Sequence, residues 1–116
     1  MSKYYLHLIS LANCPYSNLV EELLKNHNYN FKLTSITANL KDNWKTDEIN
    51  TFPQVYLKRK NSKGSVLLGG YDKMNIIHNI ISSITDKNLK ENIKKLQKMY
   101  PLLSYKSCLR LIKLKN

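Results

Sequence analysis

A cysteine followed directly by a proline is the first place in this sequence where side chains could do chemistry. Cys14 and Pro15 come after a short run of aromatic and branched residues, Lys3 to Ser10, that predicts a strand. Pro15 suits the first position of a helix, because its missing N–H is not needed there. The apolar residues that follow have helical spacing to about His27. Cys14 is therefore expected at the start of a helix.

The start of a helix favours a negatively charged sulfur at Cys14. Free backbone N–H groups and the positive end of the helix dipole lie there. We expect the thiolate to accept hydrogen bonds from the N–H groups of Tyr16 and Ser17, with the Ser17 hydroxyl as a further donor. A sulfur that ionises readily also leaves readily, which suits a cysteine that repeatedly forms and breaks mixed disulfides. The alternative is an unreactive cysteine that only caps the helix.

The rest of the chain predicts an α/β fold that positions this cysteine. Three further strands are predicted over residues 30–37, 54–58 and 65–68. Helices are predicted over residues 39–49, 72–84 and 87–100, and the structure of 102–116 stays open. Strands 54–58 and 65–68 form a hairpin across a short turn. The order predicts a four-stranded mixed sheet with helices on both faces, plus a basic C-terminal helical extension. We place one domain in 1–100 and the extension in 101–116.

Three short motifs together resemble the glutaredoxin family, whose fold is thioredoxin-like. Cys14-Pro15-Tyr16-Ser17 is similar to the family's usual Cys-Pro-Tyr-Cys active site. The other two are Thr51-Phe52-Pro53, which resembles the cis-proline loop, and Gly69-Gly70-Tyr71-Asp72, which resembles the glutathione-binding turn. All three occur in the family's order and with similar spacing, so the resemblance covers about residues 3–84.

The resemblance implies a glutathione-dependent thiol–disulfide oxidoreductase that reduces protein–glutathione mixed disulfides, with Cys14 as the nucleophile. The residues that it implies for glutathione binding are Tyr16, Phe52, Pro53, Gly70, Tyr71 and Asp72. In the family the glycine turn holds the γ-glutamyl end of glutathione, and the Asp meets its ammonium group. From the residues alone, Pro53 could instead be a trans proline that opens a strand, and Asp72 a simple helix N-cap.

Two positions depart from the family pattern. Glutaredoxins often have a Lys three residues before the cysteine, where this chain has Leu11. We expect Lys45 to provide the missing cation, with Lys41 and Arg59 as alternatives. Ser17 stands where the family usually has a resolving cysteine, so the motif cannot form its own disulfide and a monothiol mechanism is implied. A serine at this position is expected in a natural monothiol enzyme, and equally in a dithiol enzyme whose resolving cysteine has been replaced. Both alternatives stay open.

Two other functions stay open. Some monothiol glutaredoxins hold a [2Fe–2S] cluster between two such thiolates and two glutathiones. Those usually have Gly after the cysteine, so Pro15 makes the cluster the less favoured cofactor. His7, His27 and His78 lie on different predicted elements without metal-ligand spacing to another His or Cys, and no metal ligands are predicted. The other function is a non-catalytic binding module that uses the basic C-terminal region.

The positive charge of the chain is concentrated in that region. The 116 residues carry a formal net charge of +11 from 19 Lys and Arg against 8 Asp and Glu. Residues 85–116 contain Lys87, Lys90, Lys94, Lys95, Lys98, Lys106, Arg110, Lys113 and Lys115. A solvated helix surface explains most of these side chains, so nucleic-acid binding is not expected as the main role.

The cysteine count and the apolar runs indicate the compartment. Two cysteines do not make a disulfide-rich secreted scaffold, and the N-terminal residues lack the apolar core of a signal peptide. No apolar run approaches the roughly 18 residues of a membrane span. We therefore expect a cytoplasmic monomer whose partners are glutathione and glutathionylated proteins. Cys108 is interpreted as a small packed residue, with resolution of the Cys14 adduct or a bridge between chains as alternatives.

Overall fold

The computed structural model describes residues 3–115, so the outermost residues of the predicted domain ranges lie outside the described part. The elements, in order, are β1 (Tyr4–Leu11), α1 (Pro15–Asn26), β2 (Phe31–Ile36), a 3₁₀ helix (Ala38–Trp44), β3 (Gln54–Arg59), β4 (Ser65–Gly69), α2 (Tyr71–Ser82), α3 (Leu89–Met99) and α4 (Tyr105–Ile112). The four strands and the other predicted helices are present within two residues of their expected bounds, whereas the helix predicted over 39–49 is a 3₁₀ helix that ends at Trp44. The helix α4 occupies the segment left open. No helix in the described part is long and apolar enough to cross a bilayer.

The four strands form one mixed sheet with the order β2-β1-β3-β4. β1 is parallel to β2 and antiparallel to β3, and β3 is antiparallel to β4. A parallel pair needs a crossover connection, and α1 supplies it between β1 and β2. The start of α1 therefore lies at the end of a central strand.

The two faces of the sheet differ in what covers them. On one face, Leu6 and Leu8 of β1 pair with Leu57 and Val55 of β3, and all four are buried. The same apolar cluster contains residues from all four α-helices, including Val20, Ile77, Leu96 and Leu111. On the other face, His7 borders a cavity together with Trp44 of the 3₁₀ helix. The thioredoxin-like four-stranded mixed sheet with helices on both faces is confirmed.

The helix α4 is capped and anchored in the core. The Ser104 hydroxyl accepts a hydrogen bond from the Ser107 N–H at 3.1 Å and satisfies one of the free donors at the helix start. Cys108 and Leu111 are completely buried. The interpretation of Cys108 as a packed apolar residue is confirmed, and burial raises the pKa of its thiol. The domain boundary at residue 100 stays a prediction, although the apolar cluster includes residues on both sides of it.

One asparagine connects the beginning of the sheet to the segment after α4. The Asn30 N–H donates to the Leu114 carbonyl at 2.9 Å, and its carbonyl accepts from the Leu6 N–H at 3.0 Å. Its side-chain amide donates to the Tyr4 carbonyl at 2.9 Å. β1, the start of β2 and the residues after α4 therefore meet at Asn30.

Candidate active site

Cys14 lies at the start of α1, as predicted, and its side chain is partly exposed. It is the N-cap residue, with extended backbone angles of φ −102° and ψ 117°, and Pro15 begins the helix. Asn13 precedes it with φ 62°, a left-handed conformation that Asn tolerates better than most residues. The thiol donates a long hydrogen bond to the Phe52 carbonyl, with an Sγ···O distance of 3.9 Å. The sulfur is therefore directed towards the loop that precedes β3.

The hydrogen bonds predicted for the Cys14 sulfur are not formed. Its side chain makes no capping bond to the first-turn N–H groups of Tyr16 or Ser17. Ser17 is completely buried, because it lies on the same side of α1 as buried Val20. The Ser17 hydroxyl instead accepts the Leu11 N–H at 3.1 Å. The prediction of Ser17 as a donor to the sulfur is wrong, since this side chain closes the turn between β1 and α1.

The loop before β3 brings a backbone carbonyl to the sulfur. The peptide bond between Phe52 and Pro53 is cis, as predicted, so the trans alternative is wrong. Pro53 is buried, Phe52 is partly exposed and Thr51 is exposed. The loop thus presents the backbone around Phe52 beside Cys14.

Two glycines allow the loop after β4 to approach the cis-proline loop. A Cβ atom on Gly70 would lie 3.2 Å from the Pro53 carbonyl oxygen, so the two backbones are almost in contact. Gly69 has φ +127°, a conformation that side chains other than hydrogen rarely adopt. A Cβ on Gly69 would lie 2.7 Å from Cγ of Lys73. The stem of Lys73 therefore packs across Gly69.

The predicted binding residues are brought together around one cavity of about 600 Å³. Six of them line it, namely Tyr16, Phe52, Pro53, Gly70, Tyr71 and Asp72, and Thr51 and Lys73 complete the wall. The rings of Tyr16 and Tyr71 form an aromatic pair with their centroids 5.6 Å apart. The volume falls in the range of about 300–1,000 Å³ that is typical of small-molecule sites. Cys14 adjoins this cavity through its contact with Phe52.

The comparison with known families agrees with this geometry. The glutaredoxin family profile matches residues 6–61, from β1 to just beyond β3. Residues 6–61 therefore form a glutaredoxin domain. The matched region includes Cys14, Phe52 and Pro53, whereas the turn at Gly69 and Gly70 lies beyond it. No curated protein matches the sequence significantly. A glutaredoxin domain supports a thiol–disulfide oxidoreductase kind of function.

Asp72 occupies the first turn of α2. The helix begins at Tyr71 and its N-cap is Gly70, so the alternative that Asp72 is the N-cap is wrong. Asp72 is exposed and lines the cavity. Its carboxylate is therefore available to a ligand, beside the free N–H groups at the start of the helix.

Lys73 is a cavity residue that the sequence analysis missed. Among the described residues that line the cavity, it carries the only positive charge. The predicted Lys45 and the alternatives Lys41 and Arg59 do not line it. Lys45 instead pairs with Asp42 at 2.9 Å, which lowers the pKa of that carboxyl group below its usual value. The available signal for Lys73 was its place directly after the glycine turn, in the first turn of the next helix.

Two of the three histidines lie together, and neither of them lines the cavity beside Cys14. The rings of His27 and His78 have centroids 4.1 Å apart, and His78 Nδ1 lies 2.8 Å from the Tyr29 hydroxyl. Burial, followed by the charges of His27 and Lys115, lowers the pKa of His78. Sequence analysis does not predict this pair, because its two residues come from the end of α1 and from α2. Within residues 3–115, no group of three or more His, Cys, Asp or Glu side chains could hold a metal ion.

Proposed function

We propose that this protein reduces protein–glutathione mixed disulfides by a monothiol mechanism, with Cys14 as the nucleophile and glutathione as the reductant. The observation that supports this most directly is the position of the sulfur. It lies 3.9 Å from the Phe52 carbonyl, at the border of a cavity of about 600 Å³. Cys14 does not line the cavity itself, but it contacts Phe52, which does, so we place the sulfur of a bound tripeptide beside Phe52.

The cavity offers groups that complement the charges of glutathione. Its γ-glutamyl end carries an ammonium and a carboxylate, and its glycine end carries a second carboxylate. Asp72 offers a carboxylate to the ammonium, and the N–H groups at the start of α2 suit a carboxylate. We assign to Lys73 the cationic role first expected of Lys45, because Lys73 lines the cavity and Lys45 is paired with Asp42.

The reaction then proceeds by two thiol–disulfide exchanges. The Cys14 thiolate attacks the glutathione sulfur of the mixed disulfide, a new S–S bond forms, and the protein thiolate leaves and takes up a proton. A second glutathione, as thiolate, attacks the glutathione sulfur of the Cys14 adduct. Oxidised glutathione leaves, and the Cys14 thiolate is regenerated. Two glutathione units thus leave as one disulfide, while the substrate protein gains a reduced thiol.

The surroundings of Cys14 favour resolution by an external thiol. Ser17 is a buried serine that accepts a backbone hydrogen bond, so the motif holds no second sulfur. Cys108 is completely buried in the core. Because neither residue offers an accessible thiol, the adduct persists until a second glutathione enters the cavity.

Mass spectrometry after treatment with oxidised glutathione tests the adduct. We expect a single glutathione on Cys14 in the folded protein and none in Cys14→Ser, while Cys108→Ser behaves like the wild type. Absence of an adduct, together with absence of turnover on a glutathionylated peptide, contradicts the proposal. Turnover by Ser17→Cys measured in parallel shows whether a second thiol in the motif alters the monothiol route.

A pair of lysine variants tests the binding mode. Lys73→Ala is expected to raise the KM for glutathione by about tenfold, which corresponds to the loss of roughly 1.4 kcal/mol of ionic contact. Lys45→Ala removes the same charge from outside the cavity and is expected to change the KM by less than about twofold. A large effect of Lys45→Ala with a small effect of Lys73→Ala would assign the cationic role to Lys45. The proposed chemistry of Cys14 would be unaffected by that result.

A further inference from the structure

A second, smaller cavity brings together four cations from three parts of the chain. It has a volume of about 160 Å³ and is lined by Lys3, Tyr4, Arg59, Lys106 and Arg110. Lys3 precedes β1, Arg59 ends β3, and Lys106 and Arg110 belong to α4. Among the described residues, no acidic side chain lines this cavity, and it shares no lining residue with the cavity beside Cys14.

Backbone pairing holds one wall of this cavity in place. Tyr4 and Arg59 are directly opposite each other in the β1–β3 ladder. The Arg59 guanidinium carbon lies 6.0 Å from the centre of the Tyr4 ring, at the outer limit of a cation–π contact. The Lys60 N–H also donates to the Lys3 carbonyl at 2.6 Å, which extends the pairing beyond β1. The positions of Lys3 and Arg59 are thus fixed by the sheet.

Burial of α4 holds the other wall in place. Cys108 and Leu111 are completely buried, so the rotation of the helix about its axis is fixed. Lys106 and Arg110 are four residues apart and share one side of the helix. The Tyr4 hydroxyl lies 3.5 Å from Ser107 Oγ and connects α4 to β1. Two rigid elements therefore direct their cations to the same space.

The charges of this cavity lack a counter-ion within the described chain. The two ion pairs found there, Lys25 with Glu21 and Lys45 with Asp42, involve none of the lining residues. Four like charges around a small volume repel one another, and a multivalent anion relieves that repulsion. A ligand with a single carboxylate neutralises only a quarter of the charge.

We propose that this cavity is a binding site for the diphosphate group of a small molecule. Two arginines offer planar N–H forks that match phosphate oxygens, and two lysines add point charges. A space of about 160 Å³ suits a short phosphate chain and leaves the remainder of a larger ligand in solvent. The cations converge on one concavity, whereas a nucleic-acid surface spreads its charges along a groove with stacking aromatic rings.

Calorimetric titration of the full chain with inorganic pyrophosphate, at fixed ionic strength, tests the proposal. We expect one site per chain, bound at least about tenfold more tightly than sulfate. Lys106→Gln/Arg110→Gln is expected to weaken binding by at least about tenfold. The matched control is Lys94→Gln/Lys98→Gln, which removes two exposed lysines, also four residues apart, from α3. We expect it to weaken binding by less than twofold.

Two further measurements test whether the Arg110 guanidinium contributes more than its charge, and whether the phosphates alone are recognised. Arg110→Lys keeps the charge but loses the fork, and we expect binding to weaken about threefold. If the double variant fails to fold by circular dichroism, Arg59→Gln, at an exposed strand end, is used with the same expectation of weaker binding. Similar affinity for adenosine diphosphate and pyrophosphate identifies the phosphates as the recognised group, and tighter nucleotide binding adds a nucleoside contact.

Three results overturn the proposal. The first is that pyrophosphate does not bind at millimolar concentration. The second is that both double variants weaken binding equally, which would attribute binding to the net charge of the protein. The third is a single-stranded oligonucleotide that binds more tightly than either diphosphate and is equally sensitive to the control variant, which assigns the basic surface to nucleic acid.

Discussion

The two cysteines of this protein are each associated with a helix, yet they occupy opposite environments. Cys14 is the N-cap of α1, is partly exposed and contacts a backbone carbonyl beside a cavity. Cys108 lies within α4 and is completely buried among apolar side chains. Both are free thiols. The difference indicates that access to solvent and position at the helix start separate the thiol to which we assign exchange from the one that packs in the core.

The starts of the two helices differ in the same way. At α4 the Ser104 hydroxyl accepts the Ser107 N–H, so one of the free donors is satisfied within the protein. At α1 the Cys14 side chain makes no capping bond, which leaves the first-turn N–H groups available to an incoming anion or sulfur. Completing a helix cap stabilises a fold, whereas leaving it open retains binding capacity at the site.

The largest expected effect is on turnover of a glutathionylated peptide. Cys14→Ser removes the nucleophile that we propose and is expected to reduce kcat by more than about 10⁴-fold, as for other enzymes that lose their attacking atom. Cys108→Ser is expected to stay within about twofold, provided that the variant is assayed below its unfolding transition. A large loss of kcat in a normally folded Cys108→Ser variant would contradict this distinction, because it would give the buried thiol a catalytic role.

The next effect is on thiol accessibility. Iodoacetamide is expected to modify Cys14 in the native protein at least about 10³-fold faster than Cys108, because Cys108 reacts only after the core opens. Peptide mapping over a time course measures both rates in one sample. In denaturant the two rates should converge. Similar rates without denaturant would show that α4 detaches from the core under native conditions.

A third effect concerns stability, where we expect the substitution of Cys108 to matter more than that of Cys14. Cys108→Ser places a hydroxyl in an apolar environment and is expected to lower the free energy of unfolding by about 1–3 kcal/mol. Cys14→Ser is expected to change it by less than about 0.5 kcal/mol, since serine is itself a good N-cap residue. Urea denaturation of the reduced proteins measures both values. Equal losses would remove the distinction between a packing thiol and an exchange thiol.

The smallest expected effect is the pH dependence of stability that comes from His78, a residue outside both cysteine sites. The pKa of His78 lies below the ordinary value of 6.5 in the folded protein, mainly because of burial. Its contribution to stability is complete above pH 6.5 and is lost as the pH falls from 6.5 through the lower folded value. The urea midpoint should decrease from pH 7 to pH 5, and less so in His78→Gln. An unchanged pH profile in that variant contradicts the assignment.

The features that the sequence predicted are those fixed by local rules. Pro15 marks the start of α1 because its ring and missing N–H suit only that position, so the location of Cys14 followed directly. The four-stranded mixed sheet followed from the order of strands and helices along the chain, and the resemblance correctly implied the cis bond before Pro53. The turn at Gly69 and Gly70 was located because its backbone needs glycine.

The features that the sequence missed depend on three-dimensional neighbours. Lys45 precedes the Pro53 loop along the chain, but it pairs with Asp42 and does not line the cavity. Lys73 reaches the cavity only because its stem crosses Gly69, which depends on the backbone angle of that glycine. Ser17 was expected near the sulfur, yet the helical repeat places it on the buried side of α1. Charge and periodicity alone do not supply these orientations.

The meeting of three segments at Asn30 has a consequence for how the protein opens. Its amide hydrogen is held by Leu114, while its carbonyl and side chain hold Leu6 and Tyr4. The Asn30 amide exchanges with deuterium only when its hydrogen bond to Leu114 breaks. Its exchange rate therefore measures how often the segment after α4 detaches from the sheet. If β1 and that segment open as one unit, the Leu6 and Asn30 amides will exchange at the same rate.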